Sequence, residues 1–168
     1  HEGVVSPSAA GTSFQHTVNF NHPVKYMAWV VEAVNASSGD QPQFFRSLST
    51  TYNNIGTNDE GSAKLVLNGN DRFEPREMSY FTQVQPYQHC KRVPPSERIG
   101  VYSFANNPMD HQPSGTCNFS RIDSAIWHFK FGVGSASAVA ATDNLHLYAV
   151  NYNVLRIMSG MGGLAYSN

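Results

Sequence analysis

Apolar and polar residues alternate with a period of two along most of this chain, the mark of strands that bury one face. Residues 13–20 open the pattern, with Val18 and Phe20 on one face. Residues 24–34 follow, and their centre (Met27, Ala28, Trp29, Val30, Val31) is apolar on both faces, as in a strand covered from both sides. Residues 44–51 supply a further short strand. Residues 63–67 alternate and run into Asn68-Gly69, a hairpin signal because both turn positions tolerate positive φ. Glu74-Pro75-Arg76-Glu77 starts one helical turn, since proline suits the first helical position, and residues 80–84 read as extended. Residues 99–104 alternate again, and residues 117–131 are extended with a break near Asp123 and Ser124. Residues 145–157 form the longest strand-like stretch, two strands or one bent strand, with apolar residues on both faces (Leu147, Tyr148, Val150, Val154, Leu155). Polar loops lie between these pieces, and residues 159–168 read as a Gly-rich tail.

About eight strands, long uneven loops and no helix beyond a turn or two imply an all-β, antiparallel sandwich. Uneven loops argue against an up-and-down barrel and favour a Greek-key path, and an eight-stranded jelly roll fits best. Residues 1–12, small and polar, read as an arm or linker, and residues 13–168 as one domain.

Composition sharpens this picture. Charged residues make up 14% of the 168 positions, against roughly 25% in an average soluble protein. Their place is taken by 15 Asn and 18 Ser, which favour turns over long surface helices. The net charge is −1, and the 11 Lys and Arg are scattered, so no basic stripe points to direct nucleic-acid binding. No apolar run is long enough for a membrane span, and no signal peptide opens the chain. Beginning at His1 fits a fragment or processed product. Cys90 and Cys117 read as small buried residues rather than a disulfide, which fits a reducing compartment.

Chemistry-bearing motifs are sparse. The seven His share no metal-ligand spacing, no nucleophile elbow surrounds any serine, and the glycines at 160–163 feed no helix that could hold a phosphate. The reading is therefore not an enzyme, with no catalytic, cofactor or metal residues and no cofactor. Of two sequons, Asn35 stands in a loop and is placed for glycosylation, whereas Asn118 stands in a strand. The aromatics Phe20, Trp29, Phe104, Phe119, Trp127, Tyr148 and Tyr152 lie in strands and read as core, although rings can also stack on sugars. A monomeric carbohydrate-binding jelly-roll module therefore stays open as an alternative. Arg156, inside the apolar final stretch, is a candidate for a buried or interface ion pair; Arg121 beside Asp123 reads as an exposed strand-face charge.

Several blocks resemble the major capsid proteins of nucleocytoplasmic large DNA viruses (phycodnavirus, mimivirus and iridovirus-like). They are Phe20-Asn21-His22-Pro23-Val24-Lys25 with Trp29, then residues 67–73, Gln85-Pro86-Tyr87-Gln88-His89, Tyr102-Ser103-Phe104-Ala105, residues 111–123 and residues 148–166. The blocks keep the family's order. Cys90, where a second His is frequent, and the loop at 106–110 depart from it. The resemblance implies a structural protein of the virion: the second, C-terminal half of a double jelly roll, working in a homotrimer that forms a pseudo-hexagonal capsomer of the icosahedral shell. It further implies a late protein assembled in the host cytoplasm. Its implied partners are its own copies, neighbouring capsomers and minor capsid proteins, with the inner viral membrane reached only indirectly. Low charge suits surfaces buried on assembly, because desolvating Lys and Glu is unfavourable.

Overall fold

The alternation becomes two stacked antiparallel sheets. The computed structural model describes residues 13–32, 48, 61–95, 97–131 and 143–166. In chain order the strands are β1 (Ser13–Thr17), β2 (Pro23–Glu32), β3 (Gly61–Leu67), β4 (Asn70–Asp71), β5 (Arg76–Glu77), β6 (Gly100–Ser103), β7 (Cys117–Asn118), β8 (Ala125–Phe131), β9 (Asn144–Asn151), β10 (Leu155–Met158) and β11 (Met161–Leu164). The first sheet runs β1-β8-β3, with β4 and β5 in tandem on the free edge of β3. In the second sheet β2 is central, with β9 on one edge and β6 and β7 in tandem on the other. The chain crosses from sheet to sheet between β1 and β2, β2 and β3, β5 and β6, β7 and β8, and β8 and β9, which is the jelly-roll path. Strand segments exceed the expected eight because β4, β5 and β7 are two-residue pieces and β10–β11 form a separate hairpin.

Why the layers hold is visible in the inward positions. Met27, Trp29 and Val31 of β2, Leu65 of β3, Trp127, Phe129 and Phe131 of β8, and Leu145 and Leu147 of β9 are all buried. Trp29 and Trp127 meet across the sheets at 5.0 Å between ring centroids, and Trp127 stacks on Phe129 at 5.3 Å. The Trp127 indole N–H donates to Met27 Sδ at 3.3 Å, so one of the most buried polar atoms has a partner. Aromatic pairs in such geometry stabilise by about 0.5–1.5 kcal/mol beyond their area burial.

Asn68 (φ 50°) and Gly69 (φ 78°) form the expected tight turn between β3 and β4, with Leu67 paired to Asn70. Three expectations change. Arg76 and Glu77 are not a helical turn but β5, paired to Ala63 and Ser62. Residues 80–84 are not extended: Tyr80–Val84 is a π-helical turn that continues into α1 (Gln85–His89), with Pro86 in its first turn. Burial explains this, since Met78, Phe81, Thr82 and Gln85 recur every three to four residues. Two of those four are polar, which hides the helical period from a hydrophobicity reading. Residues 159–168 are not merely a tail, because Ser159 (φ 51°) and Gly160 (φ 79°) turn the chain between β10 and β11. The stretch 145–157 resolves into two strands, and the break before β8 is a 3₁₀ turn, Phe119–Arg121.

Candidate functional site

The outer face of the second sheet is where apolar surface first stays open. Register sets Tyr26, Ala28 and Val30 of β2 beside Val150, Tyr148 and His146 of β9. On the β6 side α1 packs against the strand, with Gln85 Oε1 accepting from the Ser103 amide at 3.1 Å, and all four β6 residues are buried. On the β9 side Tyr148 and Val150 are exposed. Tyr148 was expected in the core; it points outward because Leu145 and Leu147 take the inward phase of the strand. The far end of this face carries a half-buried pair, His146 Nε2 to Glu32 Oε2 at 2.8 Å. Burial pushes the Cys90 thiol up, and burial with Cys90 nearby does the same to the Tyr26 hydroxyl.

Beyond β9 the chain enters the β10–β11 hairpin, whose eight strand residues are all exposed. Directly paired residues share a face, so Leu155, Leu164 and Ile157 lie on one side and Met158, Met161 and Arg156 on the other. Gly162 and Gly163 stand opposite Ile157 and Arg156, leaving β11 flat at its centre. An open groove of about 440 Å³ runs along Arg156, Met158, Met161 and Gly163.

The hairpin is tied to the sandwich at its base. The Tyr152 amide donates to Pro23 O at 2.9 Å, Asn153 Nδ2 to Tyr166 O at 2.9 Å, and the Ala165 amide to Val154 O at 2.8 Å. The Tyr166 ring lies 5.9 Å from that of His22. His22 is itself unusual: a buried residue at φ 67° directly before Pro23. That bend is held by its amide donating to Ser120 Oγ at 2.9 Å and its carbonyl accepting from the Phe119 amide at 3.1 Å. The sequence block around Asn21-His22-Pro23 therefore anchors the end of the chain. These groups border a cleft of about 320 Å³ between His22, Asn118, Tyr152 and Tyr166.

Other singled-out residues fall as follows. Arg156, expected in a buried or interface ion pair, is exposed at the hairpin surface opposite Gly163. Arg121 and Asp123 are both exposed, at the 3₁₀ turn and just after it. Asn118 is exposed and uses its side chain to cap that turn, Oδ1 accepting from the Ser120 amide at 3.1 Å. Asn35, residues 1–12 and, apart from Leu48, the strand expected at 44–51 lie outside the described residues. Cys90 and Cys117 are free thiols. Among the described residues no cluster of three or more His, Cys, Asp or Glu could hold a metal ion. Sequence reasoning missed the hairpin, although Ser159-Gly160 between two apolar runs carries the same turn signal as Asn68-Gly69.

An exposed apolar face and a projecting apolar hairpin, on a sandwich whose core is otherwise closed, describe a surface for packing against protein. The comparisons agree with that chemistry. Residues 2–163 match the family described as large eukaryotic DNA virus major capsid protein. The major capsid protein of Paramecium bursaria Chlorella virus 1 is 41% identical, covering 97% of this chain and 45% of its own length. That of Pyramimonas orientalis virus is 45% identical over 90% of this chain and 38% of its own. A chain of the PBCV-1 virus capsid superimposes with a TM-score of 0.68 at 36% identity, covering 98% of this chain and 48% of that one. The chain thus spans less than half the length of these relatives. The family match runs from residue 2 to residue 163, the described strands follow the jelly-roll path, and the chain belongs to the large eukaryotic DNA virus major capsid protein family.

Proposed function

We propose that this chain is one jelly-roll half of a viral capsid subunit, and that three subunits form a pseudo-hexagonal capsomer of an icosahedral shell. The observation that carries the reading is 41% identity to a major capsid protein across 97% of the chain. The physical features support it: low charge, a half-open apolar sheet face and a projecting hairpin suit a piece whose edges pack against copies of itself. The role is structural rather than enzymatic. Its place is the virion, after assembly in the host cytoplasm, with minor capsid proteins as further partners and no direct contact with nucleic acid. Residues 1–12 serve as the arm leading into residues 13–168, and Asn35 is the position for a glycan. Native mass spectrometry of the full-length protein from its source tests the reading. A trimer of subunits well over twice 18.5 kDa is expected; a monomer near 18.5 kDa would refute it.

A further inference from the structure

The cleft at the base of the β10–β11 hairpin gathers rings, side-chain donors and an enclosed hydroxyl from distant parts of the chain. Tyr152 lines it, and the Tyr152 hydroxyl is enclosed with no hydrogen-bond partner among the described residues. An enclosed polar atom left unpaired is unfavourable, and folded proteins keep few of them without a use. The ring that carries it is steadied by the Lys25 ammonium, 4.9 Å from its centroid. Two further donors line the same cleft. Asn118 spends its Oδ1 on the Ser120 amide, which leaves the Nδ2 protons to give. Ser120 Oγ accepts from the His22 amide and keeps its own proton. Pro23, Val154 and the exposed Tyr166 ring supply apolar wall.

This lining narrows the chemistry of what fits. Among the described residues no Asp, Glu, Lys or Arg lines the cleft, so a charged ligand would lose water without meeting a counter-charge. A wholly apolar ligand would leave the donors unpaired. An extended peptide is held through free backbone groups along an edge, but the backbone here is already engaged. The Tyr152 amide donates to Pro23 O, the Phe119 amide to His22 O and the Ala165 amide to Val154 O. What remains is a neutral molecule with hydroxyls on its rim and C–H groups on its face, which describes a pyranose ring; aromatic side chains stack on such faces. The volume of about 320 Å³ is at the small end of the roughly 300–1,000 Å³ of ligand pockets, enough for one sugar unit.

We propose that this cleft binds a neutral monosaccharide unit, stacked on Tyr166 and hydrogen-bonded by Asn118, Ser120 and the Tyr152 hydroxyl. That hydroxyl gains its partner as the cleft walls part around the sugar. The proposal goes beyond the capsid reading and does not depend on it. The bend at His22, with φ 67° held by Ser120, fits a site being shaped, since backbone strain is kept where surrounding structure enforces it.

The test titrates the full-length protein with glucose, galactose, mannose, xylose and N-acetylglucosamine, followed by saturation-transfer difference NMR. Glucuronic acid and glucose 6-phosphate serve as charged controls. At least one neutral sugar should bind, and more tightly than either control. Tyr152→Phe should weaken binding about three- to tenfold, the worth of one hydrogen bond, while its melting temperature does not fall, because it removes an unpaired hydroxyl and keeps the ring. Tyr166→Ala should weaken binding by a similar factor through lost stacking. Failure of every neutral sugar to bind would overturn the proposal in favour of a cleft covered by another part of the full-length protein. Charged controls that bind as well as the neutral sugars would overturn the neutral chemistry, and binding unchanged in both variants would place the sugar elsewhere. A lower melting temperature for Tyr152→Phe would show that its hydroxyl already has a partner, which removes its part in the site. None of these results touches the capsid reading, which the native mass spectrum decides.

Discussion

Gly100 of β6 is paired directly to Trp29 of β2, so the indole lies over the place where a side chain would stand. A Cβ built there would overlap three indole atoms, Cε2, Nε1 and Cζ2, the last at 2.6 Å. Comfortable carbon contact needs about 3.5–4.0 Å, so Gly100→Ala requires a movement of about 1 Å. Trp29 has nowhere to go: it is fully buried, with the rings of Trp127, Phe81 and Phe129 at 5.0, 5.4 and 5.6 Å. Overpacking typically costs about 1–3 kcal/mol and more where neighbours cannot yield, so about 3–4 kcal/mol is expected here. At roughly 2–4 °C per kcal/mol for a domain of this size, melting should fall by about 10 °C. Differential scanning calorimetry of wild type, Gly100→Ala, Trp29→Phe and the double variant tests the cause as well as the size. Trp29→Phe alone should destabilise by leaving a cavity, but in the Gly100→Ala background it should cost at least about 1.5 kcal/mol less, because the smaller ring makes room. A melting change under about 2 °C for Gly100→Ala, or strict additivity in the double variant, would refute the steric argument.

Asn68→Ala should destabilise by about 2–3 kcal/mol in chemical denaturation, since it strains a position at φ 50° and removes an Oδ1 that accepts from the Asp123 and Ser124 amides at 2.9 and 3.1 Å. Asn68→Gly, which keeps the turn and loses only those bonds, should lie between Ala and wild type; equality with Ala would show that φ is irrelevant. Truncation after Asn153 should leave a cooperatively melting domain, because residues 154–166 are exposed while Leu145 and Leu147 stay in the core; loss of the melting transition would contradict this. Burial and the cross-strand Lys64 hold the His128 imidazole below its ordinary value, with Asp71 opposing them. The unfolded chain then binds the extra proton first, so stability should fall as pH drops below about 6.5, and His128→Gln should lose part of that fall; identical pH slopes for variant and wild type would sink the assignment. Burial raises both thiols, so Cys90 and Cys117 should alkylate with iodoacetamide more slowly than free cysteine at pH 8.5 in the folded protein; rates equal to free cysteine would show them unshielded.

Strands with one dry face were readable because alternation and burial coincide in them, as in β8, where every second residue is buried, and in β3 from Gly61 to Leu65. The Asn68-Gly69 turn was readable because its chemistry is local. The helical segment after Ser79 was not, because its inward positions include the polar Thr82 and Gln85, and Gln85 is buried for a contact with the distant β6. For β9 the apolar character of both faces was legible, but not which face is open: Tyr148 and Leu147 look alike in sequence, and only pairing with Ala28 and Trp29 separates them. The hairpin escaped because glycine in a strand reads as loop, and two of the four β11 residues are glycine. Family kinship was legible where blocks such as Asn21-His22-Pro23 encode fixed bends. The role of that block as an anchor for Tyr166 required the fold.

The sheet order also sets a timetable. Among the described residues β1 pairs with β8 alone, and β2 takes its partners from β6, β7 and β9, so the first two described strands wait for the later ones. From Glu32 to its partner Asn144 the ribosome needs roughly 5–20 s at typical synthesis speeds. During that interval the edge of a strand carrying Met27, Trp29, Val30 and Val31 has no native mate, and pairing over such sequence distances is intrinsically slow. A nascent chain of this design is therefore most vulnerable to sticking to its siblings before it is complete, so high-level synthesis should depend on holding factors that shield β2 until β9 emerges.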